Sequence, residues 1–511
     1  MLLRGKYVLV EDERGQLLFQ PDWAVWVQDG LIQAVGPWEE LSRLHPEDEV
    51  LGDGTQLLMP GLIDSHTHGA GLSYVQRGVT LDYLENALLK FATAFQLQPE
   101  TTAALNAVRH IRNGCTTLHH NESGAALDPN LRETCARKIR GYQSTGIRFG
   151  FSPGIRNKNV LAYDDRNFLE TLPPDLRKEA EGRVYIDQER AVDEYMDAFE
   201  SLYEEYNGGL TRIFFGPNWV QGSTDDFLLR VKDRADQLGK IPIHLHCLQT
   251  PVQKAFGLRT YGKSLVGHLD DLGLVDSNLV LGHAVYLSES DIALMAEKDA
   301  YITHHASCNL IMRDGIAPVY QMLQAGMNVA MGMDEKSIND DEDPFMELRM
   351  IYFLHRHAGL SLTECPALTP YQVLALATRN GARPTGFEGR IGVLAPGKEA
   401  DLILVDLKEM TDPCLLPGTD MGEVVIRRGL GRYVDTVVIG GKKVMEGRKL
   451  LTIDVEALYE QVRQEAAAGR TQAQLDNEAF LERIRPYYQA WYNGWLKELE
   501  LEPFYIFNSR V

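Results

Sequence analysis

Short apolar stretches recur along the middle of the chain, most of them closing on a polar or metal-capable side chain, and are separated by longer amphipathic segments. They fall at 62–68, 116–120, 148–152, 212–216, 241–246, 279–283, 300–304 and 328–334. Continuous apolar runs with helical spacers describe parallel strands buried on both faces, with helices covering the sheet. Eight such units predict an α/β chain folded as a (β/α)8 TIM barrel, whose chemistry sits at the C-terminal ends of its strands.

Those ends carry His66, His68, His120, His246, His283, His304 and Asp334. Side chains alternate across a strand, so residues two apart point the same way. His66-Thr-His68 therefore aims two imidazoles into one space, where they can share a metal ion. One such pair is weak evidence, and each histidine alone reads as a satisfied core residue. Seven metal-capable groups at strand ends would be an odd way to build a core, and together they point to one site.

The chain of 511 residues is long for one core. Residues 1–58 read as short strands, with a hairpin at Asp29-Gly30, too few to close a core alone. Residues 391–450 offer partners, including a strand at 398–406 and a hairpin over Gly440-Gly441. A composite β-sandwich domain from both chain ends (1–58 and 391–450) is expected, with the barrel at 59–390 and a C-terminal helical extension at 451–511. In that extension Phe480, Ile484, Tyr488, Trp491 and Trp495 share one helix face, Pro486 would kink or start the helix, and Phe504, Tyr505 and Phe507 follow. Such a face packs on its own barrel or on a second subunit, so a homo-oligomer is one reading.

A net charge of −21 leaves no basic surface for nucleic acid or for a polybasic membrane contact. Six scattered cysteines without a Cys-x-x-Cys pair fit reduced thiols, and no signal-like or membrane-length apolar run is present, so a cytoplasmic enzyme is expected.

The stretch Pro60-Gly-Leu-Ile-Asp-Ser-His-Thr-His68 resembles the first-strand motif of the amidohydrolase superfamily. Gly282-His-Ala284 and Met331-Gly-Met-Asp334 resemble its sixth- and eighth-strand signatures, and residues 389–402 its return into the small β domain. Arg77-Gly78, His304-His-Ala-Ser-Cys-Asn309 and Asn339-Asp340 resemble the branch of cytosine, guanine and S-adenosylhomocysteine deaminases and triazine hydrolases. The resemblance implies one divalent ion, Zn²⁺ or Fe²⁺, on His66, His68, His246 and Asp334. It implies His283 beside the activated water and Asp334 as general base. His244 also points inward by alternation, and His246 is preferred because it lies nearer the strand end. No lysine stands at the end of strand four (Phe214-Phe-Gly-Pro217), which speaks against a bridged pair of metals.

The same resemblance implies a glutamate three residues beyond His246 to protonate the departing amine, but that position is Gln249. An amide cannot shuttle a proton near neutral pH. Three readings stay open: a leaving group needing less protonation, such as halide or thiolate, or a cyclic amide; a proton carried by Glu335, His304 or His305; or a Glu→Gln substituted form. The expected reaction is hydrolytic deamination of a small-molecule nitrogen heterocycle: purine, pyrimidine, pterin or triazine. Dechlorination, desulfurisation or ring opening is the alternative, and a non-catalytic metal-containing binding protein is the alternative of another class. Arg77, Trp219, Gln221, His304 and Asn309 are the expected substrate contacts. The loop at 155–195 is expected on the catalytic face because it follows the third strand.

Overall fold

A computed structural model describes residues 1–123, 128–357, 361–363, 367–505 and 510. Cys365 and the expected aromatic Phe507 lie outside the described residues. Among the described residues, eight parallel strands form the barrel. Leu62–Thr67, Cys115–Asn121, Arg148–Ser152 and Thr211–Ile213 pair in sequence, and Ile243–Cys247, Leu279–His283, Tyr301–His304 and Asn328–Met331 pair in sequence. Isolated parallel bridges join the two halves: Phe215 with Ile243 and Trp219 with His246 on one side, Thr67 with Asp334 on the other. These strands are almost wholly buried, as the unbroken apolar runs require. The fourth strand is shorter than the expected 212–216, because Gly216-Pro217 turns the chain out of the ladder and proline has no N–H to continue it.

Both chain ends meet in one further sheet. Its order is Lys449–Leu450, Lys442–Glu446, Val434–Ile439, Leu402–Val405, Leu57–Pro60, Leu2–Glu11, Leu17–Gln28 and Leu31–Pro37, with Val50–Leu51 pairing onto Leu2–Glu11. Asp29 and Gly30 both take positive φ (52° and 79°), as a two-residue hairpin turn requires, and Gly440 and Gly441 repeat the arrangement. One face of this sheet encloses a small core of Leu3, Val8, Val25, Ile32, Leu58, Leu402 and Val438. The sheet curls shut over it: Ile32 N–H donates to Lys398 O at 2.8 Å, and Gly397 N–H donates to Ile32 O at 2.8 Å. The other face supplies Leu57, Met59, Ile403 and Val437 to the barrel core. At that junction the buried Arg148 guanidinium donates to Asp401 at 2.6 and 2.8 Å and to Glu399 at 2.6 Å.

The C-terminal helix, Gln472–Lys497, starts from a capping box between Thr471 and Gln474 and continues through Pro486 rather than starting there. It buries Phe480, Leu481, Ile484, Tyr488, Tyr492 and Trp495 against its own barrel, with Trp491 half-buried. Tyr492 OH accepts from Tyr163 N–H at 2.9 Å, and the Trp495 ring lies 6.5 Å from Phe256 and 5.2 Å from the Arg259 guanidinium. Full burial of such a side chain contributes about 1.5–3 kcal/mol. Truncation after residue 470 should therefore lower the calorimetric melting temperature by about 5–10 °C or more. An unchanged transition would show that the helix adds no stability to the barrel.

Candidate active site at the barrel mouth

The site is assembled by a backbone exchange between the first strand and the segment leaving the eighth. Asp334 N–H donates to His66 O at 2.8 Å, and His68 N–H donates to Asp334 O at 2.8 Å. This sets the Asp334 carboxylate among the imidazoles that alternation aims inward. Its Oδ1 lies 3.3 Å from His66 Nε2 and 3.2 Å from His68 Nε2. His246 Nε2 is 3.1 Å from His68 Nε2. One ligand atom from each of His66, His68, His246 and Asp334 falls within 4.8 Å of all the others.

This donor set fits one divalent cation. His66 Nε2 and Asp334 Oδ1 are buried and have no hydrogen-bond partner among the described residues, a cost that ligation removes. The far ring nitrogens are already committed: His68 Nδ1 to Asn121 O at 2.7 Å, His246 Nδ1 to Asn218 O at 2.7 Å, and His66 Nδ1 to His244 Nε2 at 2.8 Å. Each partner fixes a ring so that Nε2 faces the shared point. Burial would raise the Asp334 carboxyl, but His66 and His68 hold it well below the usual carboxylate range. Burial pushes the His66 imidazole down to about 4. On His68 the same burial is outweighed by Asp334, which lifts it to about 9. The Asp334 carboxylate thus favours positive charge at His68, while burial holds His66 in the neutral form that can ligate.

Two neighbouring groupings are poorer cation sites. His119, near His66 and His244, has both ring nitrogens engaged, by Ser65 O at 3.2 Å and Ser152 Oγ at 2.9 Å. His305, near His283 and Asp334, is held by Thr303 Oγ1 at 2.9 Å and lies 3.3 Å from His283 Nδ1. His244 lies behind His66, outside the group that holds His246.

Above the cluster is a cavity of about 440 Å³. His68, His246, His283, Asp334, Glu335 and Gln249 line its polar side, and Tyr74, Phe91, Trp219, Leu84 and Leu88 its apolar walls. His283 Nδ1 pairs with Asn309 Oδ1 at 2.9 Å, which turns Nε2 toward Asp334 Oδ2, 3.9 Å away. Arg77 lines the cavity over the Tyr74 ring at 4.8 Å and faces Glu335 at 3.9 Å.

Of the expected substrate contacts, Arg77 and Trp219 line this cavity, whereas Gln221, His304 and Asn309 do not. Gln221 is fully buried with its main-chain oxygen bonded to Asn159, His304 turns to His355 at 3.2 Å, and Asn309 serves His283 instead. His120 also turns away, to Tyr142 and Glu122.

Several residues of the site were not singled out from the sequence, although Asp64 and Cys308 lie inside the motifs quoted above. Asp64 fastens the two strand ends, accepting from Met333 N–H at 2.8 Å and from His66 N–H at 3.2 Å, with His110 on its other oxygen at 2.9 Å. The Cys308 thiol donates to Asp334 Oδ2 at 2.6 Å. Leu84, Leu88 and Phe91 share a helix whose apolar spacing marks a buried face but not a cavity wall. Arg156 lies in the 155–195 segment that was expected on this face, 5.2 Å from the Trp219 ring.

Residues 57–444 match the model of the amidohydrolase family. The chain is 30% identical to a 5-methylthioadenosine/S-adenosylhomocysteine deaminase of Syntrophobacter fumaroxidans, over 91% of this chain and 97% of that one. It is 27% identical to a 5'-deoxyadenosine deaminase of Methanosarcina mazei, over 91% and 97% of the two chains. The solved structure of an adenosine deaminase from Xanthomonas campestris with bound zinc superposes with a TM-score of 0.74 at 26% identity, covering 95% of this chain and 98% of that one. Atrazine chlorohydrolase of Arthrobacter aurescens, at 22% identity and a TM-score of 0.75 over 91% and 99% of the chains, shares the fold. The chain belongs to the amidohydrolase family: it is a hydrolase of carbon–nitrogen bonds other than peptide bonds, with a site for a divalent metal at the mouth of its barrel.

Proposed function

We propose that the chain hydrolytically deaminates a nitrogen heterocycle, with adenosine-type nucleosides as the substrate class. The observation that carries this reading is the Asp334 carboxylate, held 3.3 and 3.2 Å from His66 and His68 on the floor of an aromatic-walled cavity that His283 also faces. The names of the relatives support the substrate class.

His66, His68, His246 and Asp334 would hold the ion, and three nitrogens with one oxygen suit zinc. A bound zinc acts as a Lewis acid and lowers the pKa of water from about 15.7 to about 7. Asp334 is the general base that takes the water proton, since its carboxylate is kept ionised and faces the cavity. His283, fixed through Asn309, orients the attacking water and bears on charge developing at the reacting carbon. Tyr74, Phe91 and Trp219 offer flat walls to a planar ring, and Arg77 with Glu335 offers polar contacts at its edge. Asp334 and Glu335 are the carboxylates on the cavity able to pass a proton to the departing amine.

Gln249 favours a second reading. An amide on the cavity wall cannot give up a proton, which suits a leaving group that departs as halide or thiolate. The purified metal-loaded protein, given 5'-deoxyadenosine, 5-methylthioadenosine and a chloro-substituted purine nucleoside, separates the two. Ammonia with the keto product from the amino substrates is expected. Chloride release without ammonia from any amino analogue would replace deamination by dechlorination.

The ligand assignment has its own check in metal content. Four ligand atoms converging on one point predict about one zinc per chain, and His66→Ala or Asp334→Ala should lose most of it. His244→Ala should keep its equivalent yet yield it to a chelator about 10–100-fold more readily, because it supports His66 from behind. Full metal in Asp334→Ala would place the site elsewhere.

A further inference from the structure

Gln249 lines the cavity, and its side chain is held from behind by one residue: Nε2 donates to Asp314 Oδ2 at 2.9 Å. Asp314 is fully buried, and its Oδ1 has no partner among the described residues. Its backbone is locked on both sides, since its N–H donates to Asn309 O at 2.8 Å and its O accepts from Tyr286 OH at 2.6 Å. Gln249 N–H in turn donates to Gln253 Oε1 at 2.9 Å, so the residue is fixed at main chain and side chain alike. A carboxyl therefore stands one hydrogen bond behind position 249, where deamination chemistry would use one on the cavity itself.

We infer that Asp314 is a positioning residue of this site: by accepting from Nε2 it commits the donor end of the Gln249 amide and leaves Oε1 to face the reacting group. Position 249 is then an acceptor, matched to an N–H of the amino group that leaves or of the ring edge beside it. This assignment of the leaving-group side rests on the deamination reading; the hold of Asp314 on Gln249 does not. Burial, with the charges of Glu85 and Asp334 nearby, pushes the Asp314 carboxyl well above its usual range. A neutral carboxyl still accepts through its carbonyl oxygen, so the hold needs an oxygen at 314 and no charge. The neighbouring Glu85, engaged by Thr250 Oγ1 at 2.6 Å and Tyr163 OH at 3.1 Å, faces away from this task.

The expectation is specific to side-chain geometry. With 5'-deoxyadenosine as the probe, Asp314→Ala should lower kcat about 10–100-fold, the size of one buried hydrogen bond of about 1–3 kcal/mol. Asp314→Asn, which keeps an accepting oxygen, should stay within a few-fold of the parent. The double variant Asp314→Ala/Gln249→Ala should be no slower than Gln249→Ala alone, because Asp314 acts only through Gln249. A second arm needs no turnover: in ¹⁵N-glutamine-labelled holoenzyme, the Gln249 side-chain amide, assigned by its loss in Gln249→Ala, should be protected from hydrogen exchange. Protection should vanish in Asp314→Ala and persist in Asp314→Asn. Equal protection in the parent and Asp314→Ala, or multiplying losses in the double variant, would overturn the inference. If the parent releases no ammonia, the deamination reading fails while the amide signal still decides the role of Asp314.

Discussion

The site depends on the two-way main-chain exchange between His66-Thr67-His68 and Asp334. A barrel brings its first and eighth strands together, but parallel pairing alone leaves the relative height of their ends open. The bonds from Asp334 N–H to His66 O and from His68 N–H to Asp334 O, both 2.8 Å, fix that height. Asp64 repeats the constraint from below through Met333. The closeness has requirements of its own. A Cβ at Gly332 would meet the His305 ring at 2.8 Å and the His66 Cβ at 2.9 Å, so only glycine lets the eighth strand leave along this path. Asp334 and His283 both take left-handed backbone, with φ of 65° and 71°. Conformations of this kind cost about 1–3 kcal/mol each and persist where the surroundings enforce them.

Everything outside that exchange orients or encloses what it places. Backbone oxygens of Asn121 and Asn218 and the ring of His244 set three imidazoles, Asn309 sets a fourth, and Asp314 sets the Gln249 amide. The aromatic walls come from separate parts of the chain: Tyr74 and Phe91 from the long connection after the first strand, and Trp219 from the connection after the fourth. The C-terminal helix reaches the same cavity through Asn477 and adjoins a second chamber of about 400 Å³ that shares Leu88, Arg156 and Trp219 with it. Stability and substrate shape are thus coupled in one element.

The barrel and the pairing of His66 with His68 were legible because both rest on short-range periodicities, whereas the choice of His246 and Asp334 beside them came from the resemblance. Alternation put His66 and His68 on one side, and unbroken apolar runs marked parallel strands. Gln249 stood out because the resemblance implies a glutamate three residues beyond His246. Its partner Asp314, 65 residues away, could not, since nothing local in Arg313-Asp314-Gly315 distinguishes a buried carboxyl from a turn residue. Gln221, His304 and Asn309 show the converse. They lie close in sequence to real site elements, but side-chain direction at the ends of strands and in the turns after them is set by tertiary packing. Phe91 was hidden in a helix, where no fixed period points toward a cavity; Arg156 lay in the 155–195 loop expected on this face, but nothing within that loop singled it out.

The central claim is that one cation site is built on His66, His68, His246 and Asp334 and that its partners fix the geometry from behind. Anomalous diffraction at the zinc edge from crystals of the metal-loaded protein tests this most directly. One peak is expected, about 2.0–2.2 Å from Nε2 of the three histidines and from Asp334 Oδ1. A peak among His66, His119 and His244, or one whose shell excludes Asp334, would contradict the account.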